Sequence, residues 1–587
     1  MKTNNLFFSL LLGILTACAD SGTEGNGNTS GTGDDTDKTQ SEYVHASGIY
    51  LFDANSNQLI LKGVGLGGWM VQEGYMLKTS GPQHKIRAKL ESAAGTDAVA
   101  RFYDEWLDNY ITEDDIRQIA DWGYNSVRLP LHYELFFNSD RTWAGESSRG
   151  IELTDKLLSW CTAHGLYVIL DLHAAPGGQG NNQDICDRRD GESLWEDEIF
   201  RQMTVTMWGK LAERYATNKT IAGYDLLNEP NYDFNTHKKN QPLTELYKEI
   251  IDAIRTVDGN HLLILEGNDF GSNYDDMEEL SSYDPKKNLA ISFHNYWGRN
   301  TQDAIQSKLD LRSKWNVPLW RGEIGENSNS WFTEMVELCD RNKIGWANWP
   351  WKKYGSHDGP VQIVKAYGWD SMADYLSDKG PAPAENDAQE ALHAMIEAIK
   401  LENCRLMPDV AYAWIDLPEG AEAKPYASHS IPGTIHITDY DMGKYGQTWY
   451  DTDYQNTTGS SSEKQANKGA AYRNDGVDIW VSSKDTSEET NGYFVGEIKD
   501  GEWMLYTLQQ VTPGTYKVYL RYRSNVSTGR ISLSFDGQSP ALTATLPGNG
   551  NQWTTTELGT ATVPSAGTLK IKAEKGEFDM TSLIFEK

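Results

Sequence analysis

Cysteine is scarce in this sequence. The five present in 587 residues are too few and too scattered for a disulfide framework, and no two have metal-ligand spacing. Positive charge is short as well: 53 Lys and Arg stand against 84 Asp and Glu, a formal charge of −31. That balance excludes broad contact with nucleic acid, whose phosphates demand a basic surface. No apolar run reaches the roughly 20 residues that span a bilayer. There is no glycine-rich phosphate loop, and no serine or cysteine sits in a glycine-flanked nucleophile elbow. Apolar content of 39% and charged content of 23% are those of a chain with real cores, long enough for about two to four domains. Aromatic residues are plentiful. The 20 Trp and 30 Tyr supply flat rings with one polar edge, suited to a neutral, hydroxylated partner.

Residues 6–17 form a short apolar run behind Lys2 and end in Leu15-Thr16-Ala17-Cys18. The run reads as a secretory signal, and its end resembles the lipobox of bacterial lipoproteins, which implies a signal peptide over 1–17 and lipidation of Cys18. Residues 18–41 then form a flexible tether, rich in Gly, Ser, Thr, Asn and Asp and without the apolar surface needed to fold. Ala19 and Asp20 do not resemble the inner-membrane retention signal. The expected address is therefore the outer membrane or cell surface, with the membrane touched only through the lipid. The remaining cysteines, Cys161, Cys186, Cys339 and Cys404, are expected to be structural.

From 42 to 402 strand and helix patterns alternate. Eight short aliphatic runs occupy 59–65, 126–129, 166–171, 223–227, 261–265, 289–293, 317–321 and 345–349, with helical periodicity between them, as in 200–215 and 243–257, and a closing helix over 388–400. Eight such units predict a (β/α)8 TIM barrel. Residues 48–61 predict a hairpin turning at Ala54-Asn55-Ser56-Asn57 and plugging the barrel floor. Residues 353–385 are an insertion after the eighth strand.

The carboxyl ends of barrel strands open into the active site. Here those ends carry Arg128, His173, Asn228, Glu229, His294, Tyr296, Glu323 and Trp349. Taken singly, each is explained by a buried ion pair, a core histidine or a polar turn; together at one rim they favour chemistry. Glu229 and Glu323, on the fourth and seventh units, can approach to the roughly 5 Å at which two carboxylates cleave a glycosidic bond with retention. Asn228 can bind the sugar hydroxyl beside the reacting carbon, Tyr296 can donate to the nucleophile, and Arg128 can hold Glu323 anionic.

The segments Ser126-Val127-Arg128-Leu129-Pro130, Leu170-Asp171-Leu172-His173, Leu227-Asn228-Glu229-Pro230, His294-Asn295-Tyr296, Gly322-Glu323-Ile324-Gly325 and Gly345-Trp346-Ala347-Asn348-Trp349 resemble family 5 of the glycoside hydrolases. The resemblance implies Glu229 as acid/base and Glu323 as nucleophile. It also implies support from Arg128, His173, Asn228, His294, Tyr296 and Trp349, with Trp351 a second candidate for the sugar platform; Glu266, at the end of the fifth strand, is expected to shape a subsite. Gly63-Val64-Gly65-Leu66-Gly67-Gly68-Trp69 and His173-Ala174-Ala175-Pro176-Gly177-Gly178-Gln179 resemble the exo-β-1,3-glucanase-like branch, from which Met70-Val71-Gln72-Glu73-Gly74-Tyr75 departs. A neutral β-glucan is the expected substrate; mannan and glycolipid remain alternatives. No cofactor is required by this chemistry, and the chain is expected to act as a monomer.

Residues 403–430, with Pro418 and Pro425, read as a linker. From 431 to 587, short alternating strands such as 503–508, 515–522, 531–535 and 569–573 predict an all-β jelly-roll sandwich. Asp439-Tyr440, Asp451-Thr452-Asp453, Ala471-Tyr472-Arg473-Asn474-Asp475-Gly476-Val477-Asp478-Ile479 and Gly501-Glu502-Trp503 resemble family 6 carbohydrate-binding modules. That resemblance implies a sugar clasped by Tyr472 and Trp553, with Asp579 beside them. It also implies a structural calcium, an expectation weakened because His436, Thr438 and Thr581 stand where carboxylates are usual. A competing reading is a non-catalytic, glycan-capturing lipoprotein. Such a binder has no use for a proton donor and a nucleophile together, and the pair Glu229 and Glu323 favours an enzyme.

Overall fold

The computed structural model describes residues 42–234, 239–420, 422–454, 467–483 and 485–587. The signal peptide, Cys18 and the tether lie outside the described residues. Eight parallel strands close a barrel: β1 (Lys62–Gly65), β2 (Ser126–His132), β3 (Tyr167–Ala174), β4 (Ile221–Asp225), β5 (Leu262–Leu265), β6 (Leu289–Ser292), β7 (Leu319–Gly325) and β8 (Gly345–Trp349). Each pairs with its sequence neighbour, and β8 closes on β1 through Trp346 opposite Lys62. All eight expected runs are strands of this barrel.

The strands are apolar on both faces because helices cover the outside and side chains fill the inside. Ile169, Ala222, Leu262, Ile264, Ala290 and Ala347 pack within, joined by Val44 and Leu51 from below. Leu51 belongs to the predicted hairpin, whose arms Tyr50–Phe52 and Gln58–Leu59 pair antiparallel. The Asp53 carboxylate fixes its turn by accepting from the Asn55 and Asn57 amides, both at 2.8 Å. Around the barrel run, among others, α1 (Arg149–His164), α2 (Glu198–Tyr215), α3 (Gln241–Arg255), α4 (Asn329–Asn342) and α5 (Glu385–Ile399). In α3 the buried residues Leu243, Leu246, Tyr247, Ile250, Ile251 and Ile254 recur at helical spacing, forming one stripe against the barrel.

The segment read as a linker is not a free connector. It contains α6 (Pro408–Ile415), whose Trp414 is fully buried and stacks on Phe332 of α4 at 4.5 Å. Beyond it, two six-stranded sheets form the predicted sandwich. Tyr506, Tyr516, Val518, Leu520, Ile531, Leu533, Ile571 and Leu583 meet between the sheets, as period-2 alternation requires. The sandwich is seated on the barrel. Lys444 pairs with Glu337 at 2.7 Å, the Arg405 guanidinium lies 4.2 Å over the Tyr472 ring, and the Asn474 amide donates to Asp409 at 2.8 Å. Cys161, Cys186, Cys339 and Cys404 are all unpaired.

Candidate active site

The carboxyl end of the barrel holds a cavity of about 520 Å³. Glu229, from the turn after β4, and Glu323, on β7, both line it with His173, His294, Tyr296 and Trp349. Glu229 has φ 44°, a left-handed conformation unfavourable for a residue with a Cβ. Its amide donates to Glu266 at 2.8 Å, which holds the turn. Side-chain oxygens of Glu229 and Glu323 come within 4.8 Å of each other. Between them stands His294, whose Nδ1 is 2.7 Å from Glu229 and 3.6 Å from Glu323.

The two carboxyls face different surroundings. Burial would raise both. For Glu323 the positive charges of His294, Arg128 and His173 and the Tyr296 hydroxyl outweigh burial, and it sits below the usual carboxylate range. Arg128 lies 2.6 Å from it and Tyr296 donates at 2.5 Å. For Glu229 burial prevails, helped by the negative charges of Glu323 and Glu266 and opposed by His294, so its carboxyl holds a proton to higher pH than usual. One group is held ionised while the other keeps its proton, the division that acid-assisted nucleophilic cleavage needs.

The supporting residues form one buried lattice. Arg128 also bonds to Asp225 at 3.0 Å and to the Asn228 side-chain oxygen at 2.9 Å. His173 leans on Asp171 at 2.8 Å. Burial opposes protonation of that ring, but Asp171, Glu73 and Glu323 override it and raise its pKa to about 10. Glu266 is not a subsite residue. It is fully buried beneath the cavity, 3.0 Å from His294, and despite burial the charges of His294 and Arg128 bring it down to about 2. Burial opposes protonation of His294, but the carboxylates facing its two nitrogens, Glu266 at 3.0 Å and Glu229 at 2.7 Å, together with Glu323, hold its pKa well above the usual imidazole value.

Trp349 stacks on His173 with centroids 5.1 Å apart and forms the cavity wall. Glycines at and just beyond the end of β1 explain its placement: a Cβ at Gly65 would meet the indole at 2.3 Å, and one at Gly67 at 2.7 Å. Trp351 is corrected. It points away from the cavity, fully buried, with its indole N–H on Asp115 at 2.8 Å, because the chain leaving β8 runs outward into the helical layer.

Sequence reasoning missed several residues. Glu73, in the segment that departs from the glucanase-like branch, lies 3.5 Å from His173. Burial, reinforced by Glu323 and Glu229, outweighs His173 and raises its pKa to about 7. Tyr75, Phe270 and Trp297 rim the mouth, each exposed. They sit outside the barrel strands, where no strand pattern marks them.

In the sandwich, Tyr472 and Trp553 are not brought together. Tyr472 donates to Asp439 at 2.5 Å beneath Arg405 and packs on Tyr493. Trp553 packs on Phe494, the next residue of the same strand, Tyr493–Val495, and so on its opposite face. The Arg523 guanidinium lies 4.7 Å over Trp553 and is paired with Asp579 at 2.7 Å. At the usual calcium position, Thr438 accepts from Asn491 at 2.9 Å, and Thr581 meets Ser582 at 3.3 Å. Asp451, Asp453 and Asp478 cluster elsewhere, with Asp453 engaged by Lys468 and Lys499.

Residues 88–355 match the family model of cellulase (glycosyl hydrolase family 5). Residues 473–584 match that of a family 35 carbohydrate-binding module, where the sequence motifs resembled family 6; a carbohydrate-binding module is common to both. A β-xylosidase of Phanerodontia chrysosporium is 28% identical, covering 55% of this chain and 73% of its own. A probable glucan 1,3-β-glucosidase A of Aspergillus fumigatus is 30% identical over 54% of this chain and 88% of its own. Endoglucanase C of Acetivibrio thermocellus is 32% identical over 43% and 87%.

Proposed function

We propose, from the premise that this chain belongs to glycosyl hydrolase family 5, that it cleaves a neutral β-linked glucan by double displacement at Glu323 and Glu229. The observation that carries this reading is the pair of carboxylates within 4.8 Å with opposite displacements of their pKa values. Glu323 attacks the anomeric carbon as Glu229 protonates the departing glycosidic oxygen. Glu229, now a base, then takes a proton from the water that releases the sugar from Glu323. Arg128 and Tyr296 keep the nucleophile charged, Asn228 meets the neighbouring hydroxyl, and Trp349 supports the ring. No cofactor enters these steps.

Relatives named for β-glucosidase, endoglucanase and β-xylosidase activity support a β-linked substrate. The C-terminal module would raise the local concentration of polymer, the chain acting as an exported, lipid-anchored monomer at the outer membrane or cell surface. In a Glu323→Gly variant, azide should restore turnover and give a glycosyl azide of inverted configuration. Absence of rescue would remove Glu323 from the nucleophile's role. A panel of β-1,3-, β-1,4- and β-1,6-glucans, mannan and xylan, with products resolved by size, fixes linkage and mode of attack.

A further inference from the structure

We infer that the sandwich is a working part of the active site, buttressing the loop after the nucleophile through Asn474, a positioning residue. The inference rests on Glu323 being the nucleophile. Loops at a barrel mouth are ordinarily its most mobile parts. The loop of residues 326–328 lines the cavity at Glu326, three residues beyond Glu323, and turns through a left-handed φ of 51° there. It ends at Ser328, whose hydroxyl caps α4 by accepting from the Trp331 amide.

Asn474 is 5% exposed and meets this loop from the sandwich. Its side-chain N–H donates to the Asn327 carbonyl at 2.7 Å and to the Asn329 side-chain oxygen at 3.1 Å, and its carbonyl accepts from the Asn329 amide at 2.9 Å. Asp409 of α6 ties both asparagines, accepting from the Asn474 amide at 2.8 Å and from the Asn329 side chain at 2.9 Å. The other end of Asn327 reaches the catalytic residues: its side-chain N–H donates to the Tyr296 carbonyl at 3.3 Å, and the Tyr296 hydroxyl donates to Glu323 at 2.5 Å. A continuous path therefore runs from Asn474 through Asn327 and Tyr296 to the carboxylate that must stay ionised. A module serving only as a tether needs no such contact, because tethering acts through linker length alone.

The test uses the full chain and a short aryl β-glycoside, on which polymer capture has no effect. Asn474→Ala should lower kcat about 5-fold, the scale of one lost hydrogen bond, with KM nearly unchanged. It should also move the acidic limb of kcat/KM to higher pH, because a loosened Tyr296 supports the Glu323 anion less well. Asn327→Ala should do the same, and the double variant should lose little beyond the worse single one. Val481→Ser, on an exposed sandwich strand, should change neither. If Asn474→Ala does not fold, Asn474→Ser, too short to reach the Asn327 carbonyl, takes its place. Wild-type kcat and an unmoved acidic limb in the asparagine variant would overturn the inference, as would losses that multiply in the double variant. Azide rescue of Glu323→Gly decides the nucleophile independently of either result.

Discussion

At the scale of single residues, charge placement dominates. The proposed double displacement requires Glu323 ionised and Glu229 protonated. The rate should therefore rise through a pKa below the usual carboxylate value and fall through one above it, and a pH profile of kcat/KM measures both limbs. Glu229→Gln should cost roughly 10²- to 10⁴-fold and Glu323→Gln nearly all hydrolysis, each with unchanged circular dichroism. Glu73 makes a separate prediction about stability. Its folded pKa of about 7 lies above the unfolded value near 4.5, so the native state binds more protons between those pH values and stability falls as pH rises through that window. Denaturation midpoints should show a flatter decline from pH 4.5 to 7 in Glu73→Gln. The two neighbouring tryptophans divide cleanly. Trp351→Ala should remove about 3–5 kcal/mol of stability by chemical denaturation while the folded enzyme keeps its KM, since that indole is core.

At the scale of elements, the barrel's first and eighth strands are built for each other. Gly65 and Gly67 leave the room in which the Trp349 ring lies, so the glycine run is a packing requirement and the indole its complement. Gly65→Ala should displace that ring and lower kcat/KM on the order of 10- to 100-fold, and steady-state kinetics with an otherwise native spectrum would show it. Two further turns use left-handed backbone for presentation: Glu229 after β4, and Asp269 with Phe270 after β5 at φ 52° and 57°. Such conformations recur where a site needs a side chain aimed against local preference.

At the scale of the whole molecule, the sandwich and barrel meet through Asn474, Arg405 and Lys444 as well as through the chain joining them. Calorimetry should give one transition for the wild type. Arg405→Ala, which strips the cation from the Tyr472 and Tyr493 rings, should separate it into two. The formal charge of −31 finds no charged counterpart on an uncharged glucan. Binding to an uncharged glucan should accordingly vary little between low and moderate salt.

Much of this was legible in the order of residues. Period-2 and period-3.6 patterns are local consequences of which face is buried, so the eight barrel strands, the floor hairpin and the sandwich strands could be read directly. The residues ending those strands followed because a strand's direction decides which end opens upward. What only the tertiary structure decided were contacts between segments far apart in the chain. Trp349 and Trp351 are equivalent as letters, and packing sends one to the cavity and the other to Asp115. Tyr472 and Trp553 were paired by motif, yet strand alternation and Arg405 keep them apart. Glu266 became an orienting residue, and Asn474 became a neighbour of the nucleophile's loop, through distances that no local pattern encodes. Local sequence sets which elements form and which way they face; the side chains that finally touch are chosen by how those elements fill space together.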